Sequence, residues 1–298
     1  MEDGVRSDPV SDYHGASMVR GLDALTSLTL KHVRDRWWND AFGEFFEQAL
    51  RPKPGKRILD VGCGAGTAEI SLARLQISQL QLFGVDLLVD RVREGRDRVR
   101  GINARAGFAA ADAGSLPFVD GAFDCTFCVA VLQHLRDVST ALAELARVTR
   151  PGGLILAVEP DNAARYWFSS IPSGMDAFEL GRRFFAALAV ARGEAPPTAI
   201  GPALPGLFVA AGIHPLSVDL FPVSGSFVGA PPPAVWKARA EAIEAAIALA
   251  PDESLRRLGT DYAAAVARYG RDATAAGRAF VEIQNAMLFA SVGQRPDN

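Results

Sequence analysis

The sequence predicts an α/β protein built on a doubly wound, mostly parallel sheet, and three observations carry that expectation. Short apolar runs alternate with amphipathic helical stretches between residues 57 and 158, the rhythm of strands joined by crossover helices. Three glycines, Gly62, Gly64 and Gly66, follow the first apolar run directly. An aspartate stands in or just after each of the first three runs: Asp60, Asp86 and Asp112. Parallel strands end on a common edge, where open α/β folds bind ligands, so glycines and acids are expected to converge there.

The elements follow in order. Residues 1 to about 12 are polar and carry no period. From Ser17 to Leu50 apolar residues recur at helical spacing, from Met18, Leu22 and Leu25 to Phe42, Phe46 and Leu50, with a break near Trp38-Asn39. Two helices are therefore expected, an N-terminal helical cap over residues 1–54, with the sheet domain over 55–298. After Pro52, Pro54 and Gly55 come the strand ending at Val61, the glycine turn and a helix from Thr67 to Leu75. Without a Cβ, a glycine can take positive φ or admit a ligand to the backbone, and the helix N-terminus faces that ligand. Leu80 to Asp86 is the second strand, Val89 to Ile102 an arginine-rich helix, and Ala106 to Ala111 a weak third strand. Phe123 to Ala130 is a fourth strand, and the helix from Val138 to Arg150 is expected to stop at Pro151-Gly152-Gly153. Leu154 to Val158 closes the series at Glu159-Pro160. Beyond it lie two helical inserts, at about 160–213 and 224–284, with strands at Leu216 to Val223 and Ala286 to Val292.

Composition narrows the function. The chain has 298 residues, 49% of them hydrophobic, which is ample for a core. A net charge of −3, from 31 basic and 34 acidic residues, supplies no field that would attract nucleic acid. No apolar run reaches the roughly 18 residues of a membrane helix, and no leader-like apolar region opens the chain, so no membrane insertion and a cytoplasmic location are expected. Cys63, Cys125 and Cys128 are odd in number and fall in core segments. The C-x-x-C spacing of the last two sits in an apolar strand with no second pair, so buried thiols are expected and no metal site.

Five ordered motifs resemble one family, the class I S-adenosylmethionine-dependent methyltransferases. They are Leu59-Asp-Val-Gly-Cys-Gly-Ala-Gly-Thr67, Gly84-Val-Asp86-Leu87, Ala111-Asp112-Ala113 with Leu116-Pro-Phe118, Phe123-Asp124 through His134-Leu135, and Arg147 to Gly153. The resemblance spans about residues 55 to 160, and it implies a Rossmann-like fold with S-adenosylmethionine as cofactor. It implies further that Gly62, Cys63, Gly64 and Gly66 pass under the methionine and ribose portions, with Asp60 beside them. Asp86 would hold the ribose hydroxyls and Leu87 would lie against adenine. Asp112 would take the adenine amine, Ala113 would meet its ring nitrogen through the backbone, and Cys128 and Val129 would border the methionine end. A nicotinamide-dependent oxidoreductase shares the strand, turn and acid, but its fingerprint wants glycine where Thr67 stands. A cofactor-binding regulatory protein without catalysis is a further alternative.

Methyl transfer asks mainly for alignment in a dry pocket, because the sulfonium already activates its methyl group. Where an acceptor needs a base, the candidates are His134 after the fourth strand, Glu159 at the end of the fifth and His14 near the N-terminus. Tyr13 and His14 are placed as a lid over the methionine end. The fourth strand runs into Ala130-Val131-Leu132-Gln133, without the motif of nucleic-acid amino-methyltransferases, so the expected partner is a small-molecule acceptor. The aromatic and aliphatic inserts suit a cover over a hydrophobic metabolite, with secondary or quinone-like metabolism as the expected setting, or a homodimer interface.

Overall fold

The computed structural model describes residues 38–101, 106–192 and 200–297. The helix expected upstream of Trp38, and with it Tyr13 and His14, lies outside them. In chain order the strands are β1 (Arg57–Val61), β2 (Gln81–Asp86), β3 (Ala106–Ala110), β4 (Phe123–Val129), β5 (Thr149–Ser169), β6 (His214–Val228) and β7 (Val281–Gln294). The helices are α1 (Asp40–Leu50), α2 (Thr67–Ala73), α3 (Val89–Gly101), α4 (Val138–Val148), α5 (Pro172–Ala191), α6 (Ile200–Ala210), α7 (Pro233–Ala248) and α8 (Glu253–Ala276). The strands form one sheet in the order β3-β2-β1-β4-β5-β7-β6. β1 lies parallel to β2 and β4, β2 to β3, and β4 to β5. The winding direction reverses between β1 and β4, which opens a crevice at their C-terminal ends.

Helix starts follow the side chains that can cap them. The Asn39 side chain accepts from Phe42 N at 3.0 Å, Asp137 from Thr140 N at 2.9 Å and Asp252 from Leu255 N at 2.8 Å, each satisfying an N–H that the first helical turn leaves open. Asn39 is thus the physical cause of the break near Trp38-Asn39. α1 buries Phe42 and Phe46, and Phe46 meets Phe127 of β4 edge-on at 4.9 Å.

Strand lengths differ from the expectation. α4 stops at Val148 instead of Arg150, because Thr149 is extended and pairs with Phe123. Its hydroxyl still donates to Leu145 O at 2.7 Å. Pro151-Gly152-Gly153 does not end the helix but forms a bulge inside β5, where the register shifts between Phe123 and Cys125. Gly152 sits there at φ +68° and donates to Arg295 O at 2.9 Å. β5 also runs past Pro160 to Ser169, so the first insert begins later than expected. In that extension Trp167 is buried while Tyr166 and Phe168 are exposed, the period-2 alternation of a strand. β6 and β7 likewise reach residues 228 and 281, taking up both ends of the second insert.

The chain divides into two compact units, and β5, β6 and β7 each contribute residues to both. One unit, Trp38–Asp161, Ala199–Phe221 and Leu288–Asn298, holds most of the sheet around a core of Leu59, Val61, Phe123, Leu142, Leu145 and Ile155. The other includes Asn162–Thr198 and Pro222–Met287. There α5, α7 and α8 bury Phe184, Leu188, Ile243, Tyr262 and Tyr269. Arg239 of α7 is fully buried and paired with Glu282 at 2.6 and 3.1 Å. Glu282 also accepts from Tyr269 Oη at 2.8 Å and Gln284 Nε2 at 2.8 Å, and the guanidinium stacks over Trp236 at 4.7 Å. Among the described residues no helix is long and apolar enough to cross a membrane.

Candidate cofactor site

β1 delivers the chain to a turn pinned on β2: Gly62 N and Cys63 N both donate to Val85 O, at 2.7 and 2.9 Å. Gly62, Gly64 and Gly66 take φ of +80°, +52° and +73°, and their surroundings separate them. A Cβ on Gly62 would run into the Val131 side chain, and one on Gly66 would press to 3.2 Å from Gly95 Cα and the Phe108 ring. A Cβ on Gly64 would meet nothing within 4 Å. The three glycines therefore differ in what surrounds them. Gly64 is the open one, while Gly62 and Gly66 let the segment after β4 and helix α3 close in.

Asp86 ties the open glycine to the tip of β2. Its Oδ2 accepts from Gly64 N and its Oδ1 from Leu88 N, both at 2.9 Å. Each oxygen keeps a second lone pair, so the carboxylate is fixed in orientation yet can still accept from a diol. Leu87 beside it is half-buried. Past β3, Asp112 is exposed, and its Oδ1 accepts from Gly114 N at 2.8 Å. Ala113 packs against the edge of the sheet core. α4 holds the loop that follows. Glu144 accepts from Leu116 N at 2.7 Å, and Arg147 donates to Leu116 O, Phe118 O and Asp120 at 3.0, 2.7 and 2.8 Å.

An open glycine turn and an oriented carboxylate with acceptor capacity left, on one sheet edge, fit the ribose and neighbouring chain of a nucleoside cofactor. Other expected residues sit differently. Cys128 is wholly buried in the sheet core, and of the pair only Val129 is partly open. Cys63 is buried, its thiol 3.7 Å from Gly64 O. Burial, reinforced by nearby acids, pushes the Cys63 and Cys128 thiols up, so both stay protonated. Cys125 is buried too, with Sγ 3.2 Å from Leu50 O.

Glu159, expected as a candidate base, is engaged by the backbone after β4. It is fully buried, and its carboxylate accepts from Val131 N, Leu132 N and Gln133 N at 2.8, 2.7 and 3.4 Å. Those donors converge because Ala130, a non-glycine residue at φ +56°, swings the chain round after β4. His134 ends the short 3₁₀ turn that follows and is half-buried.

Glu69 was not anticipated. It lies in the first turn of α2, where an acid favours the helix dipole, and nothing in the sequence marks it as buried. It is 1% exposed, and burial raises its carboxyl to about 8. Asp60, 5% exposed, is raised well above the usual range by burial and by the neighbouring Glu69 and Asp86 charges.

A switch-point crevice, a glycine turn and an acid at the next strand tip define an α/β domain for a nucleoside-type cofactor. Residues 59–157 match the family model described as a methyltransferase domain. The chain is 32% identical over 159 residues to a demethylmenaquinone methyltransferase of Mycobacterium marinum, covering 52% of this chain and 63% of that protein. It is 36% identical over 152 residues to the O-methyltransferase cnsE of Penicillium expansum, covering 46% and 54%. The chain thus spans less than two thirds of the length of these curated relatives. The crystal structure of the YcgJ protein of Bacillus subtilis aligns with a TM-score of 0.55 at 17% identity, over 86% of this chain and 98% of that one, and shows the shared fold.

Proposed function

We propose that this chain transfers the methyl group of S-adenosylmethionine to a small, largely apolar acceptor. The observation that carries the reading is the open Gly64 turn tied to Asp86, within the segment that matches a methyltransferase domain. Asp86 accepts from the ribose hydroxyls through the lone pairs left by Gly64 N and Leu88 N. Leu87 lies against adenine, Asp112 takes its amine, the Ala113 N–H meets a ring nitrogen, and Val129 borders the methionine end. The cofactor, when bound, supplies a methyl group activated by its positive sulfur. The chain aligns the acceptor and keeps water out. Glu159 holds the segment after β4 in register for this, and His134 is the remaining described candidate for a base.

The aromatic and aliphatic residues of the helical segments support a hydrophobic acceptor, and the name of the Mycobacterium marinum relative supports a quinone-like ring. Secondary metabolism, a cytoplasmic location and a homodimer complete the proposal, with Tyr13 and His14 as its N-terminal lid. Calorimetry tests the cofactor: S-adenosylmethionine binds the full chain, and Asp86→Ala weakens it at least about tenfold, the loss of a charge-assisted hydrogen-bond pair. No binding by the unmodified chain, or equal binding by the variant, would sink the reading. A metabolite extract incubated with a labelled methyl donor then identifies the acceptor.

A further inference from the structure

Beneath the glycine turn lie two acids that the proposed chemistry leaves without a task. Asp60 is next to last in β1 and pairs in register with Gly84 of β2. Glu69 reaches in from α2 over the same glycine, so that a Cβ on Gly84 would collide with its Oε1 on one side and come within 2.9 Å of Cys63 Sγ on the other. Both acids are buried, and among the described residues no other residue donates a hydrogen bond to either oxygen of Glu69.

Among the described residues, the groups that face this pair do not neutralise it. The charges acting on Asp60 are those of Glu69 and Asp86, both negative. From β4, Cys128 is a neutral thiol that itself feels Glu159 of β5 and Asp60. From α3, Arg98 faces the turn, but its guanidinium is engaged with Ala65 O at 2.7 Å and the Thr67 hydroxyl at 3.4 Å. Two buried carboxyls side by side do not both ionise in such surroundings; they titrate as a pair that keeps a proton.

We propose that Asp60 and Glu69 form a proton-holding support under the glycine turn, which gives up its proton when a positively charged ligand settles on the turn. The inference rests on the methyltransferase reading for the identity of that ligand, whose methionine end carries ammonium and sulfonium charges. A cation above the turn favours the doubly ionised pair, so binding and proton release are linked, each promoting the other. Affinity therefore climbs with pH, by at most about tenfold per unit for one proton, and levels off once the ligand-free pair has ionised, near the value of about 8 to which Glu69 is raised. Glu69 is a positioning residue here: it acts through Asp60 and the turn.

The test is calorimetry of S-adenosylmethionine binding to the full chain from pH 6.5 to 9.5, in buffers of different ionisation heat so that released protons are counted. The unmodified chain is expected to release a proton at neutral pH and to gain affinity up to about pH 8. Glu69→Gln, which keeps shape but cannot ionise, is expected to bind with a flat pH profile and no proton release. Difference infrared spectra without ligand provide a second readout, a protonated carboxyl band at pH 6.5 that Glu69→Gln lacks. A flat profile in the unmodified chain, an unchanged slope in Glu69→Gln, or an absent carboxyl band each overturns the proposal. No binding by the unmodified chain at any pH overturns the cofactor reading itself, and the infrared band still reports on the pair.

Discussion

A methyl group added at Gly64 and one added at Gly62 have opposite consequences, although the two glycines stand two residues apart in one motif. Gly64→Ala is expected to lower S-adenosylmethionine affinity at least about tenfold while costing only the ~1–2 kcal/mol of a left-handed residue in the free protein. Gly62→Ala is expected to lower the melting temperature sharply, because its methyl meets Val131, and Val131→Ala is expected to restore part of the loss. Calorimetry and thermal melts of the three variants separate the roles; equal effects on both readouts would contradict them. The three glycines are identical in the sequence and become distinct only through Val131, Gly95 and Phe108, which no local pattern reveals. Glu69 escaped for the same reason, while Asp86 was legible because a strand end fixes where its side chain goes. Glu69 also gives the free protein a pH signature. Its carboxyl is raised from 4.5 to about 8 on folding, so the stability it permits is complete below the unfolded value and is lost as pH rises towards 8. Melts of the ligand-free chain between pH 5 and 9 should show this decline, and Glu69→Gln should abolish it and melt higher than the unmodified chain above pH 8.

At the scale of elements, caps and alternation were readable and strand length was not. Asn39, Asp137 and Asp252 start their helices as such side chains should. β1, β2 and β4 were found because each is a short, mostly buried apolar run, and β3, none of whose residues is buried, through its place in the rhythm. β5, β6 and β7 then run on with one face open, and their polar and aromatic positions looked like the start of loops and helices. Tyr166-Trp167-Phe168 shows the difficulty: alternation over three aromatic residues has no period that a sequence reader can separate from a helical cluster. Arg239 of α7 was equally unreadable, an arginine in an alanine-rich helix that would ordinarily face water. Its fully buried pairing with Glu282 sets how α7 meets β7. Arg239→Ala is expected to cost roughly 3–5 kcal/mol, since it leaves Glu282 charged in the interior. Denaturant melts provide the check, and a loss below about 1 kcal/mol, the range of an exposed pair, would show the pair to be dispensable.

For the whole molecule, contiguous stretches of sequence do not mark out the two compact units. The sequence pattern divided the chain into a leading cap and a following domain, whereas α1 packs with the sheet and the helical unit is assembled from separated stretches of chain. Contiguity in sequence was the wrong guide, because three strands cross from one unit's residues to the other's. Every residue of the glycine turn, the Asp86 tip and the Asp112 loop, by contrast, comes from one contiguous part of the chain. The strand order has a consequence for how the protein is made. β7 is synthesised after β5 and β6, yet it occupies the place between them. Until β7 emerges, β6 has no neighbour in the sheet and Arg239 has no Glu282 to meet. The stretch that carries the glycine turn can therefore begin to form early on the nascent chain, while β6 must wait for β7 to enter the slot beside it.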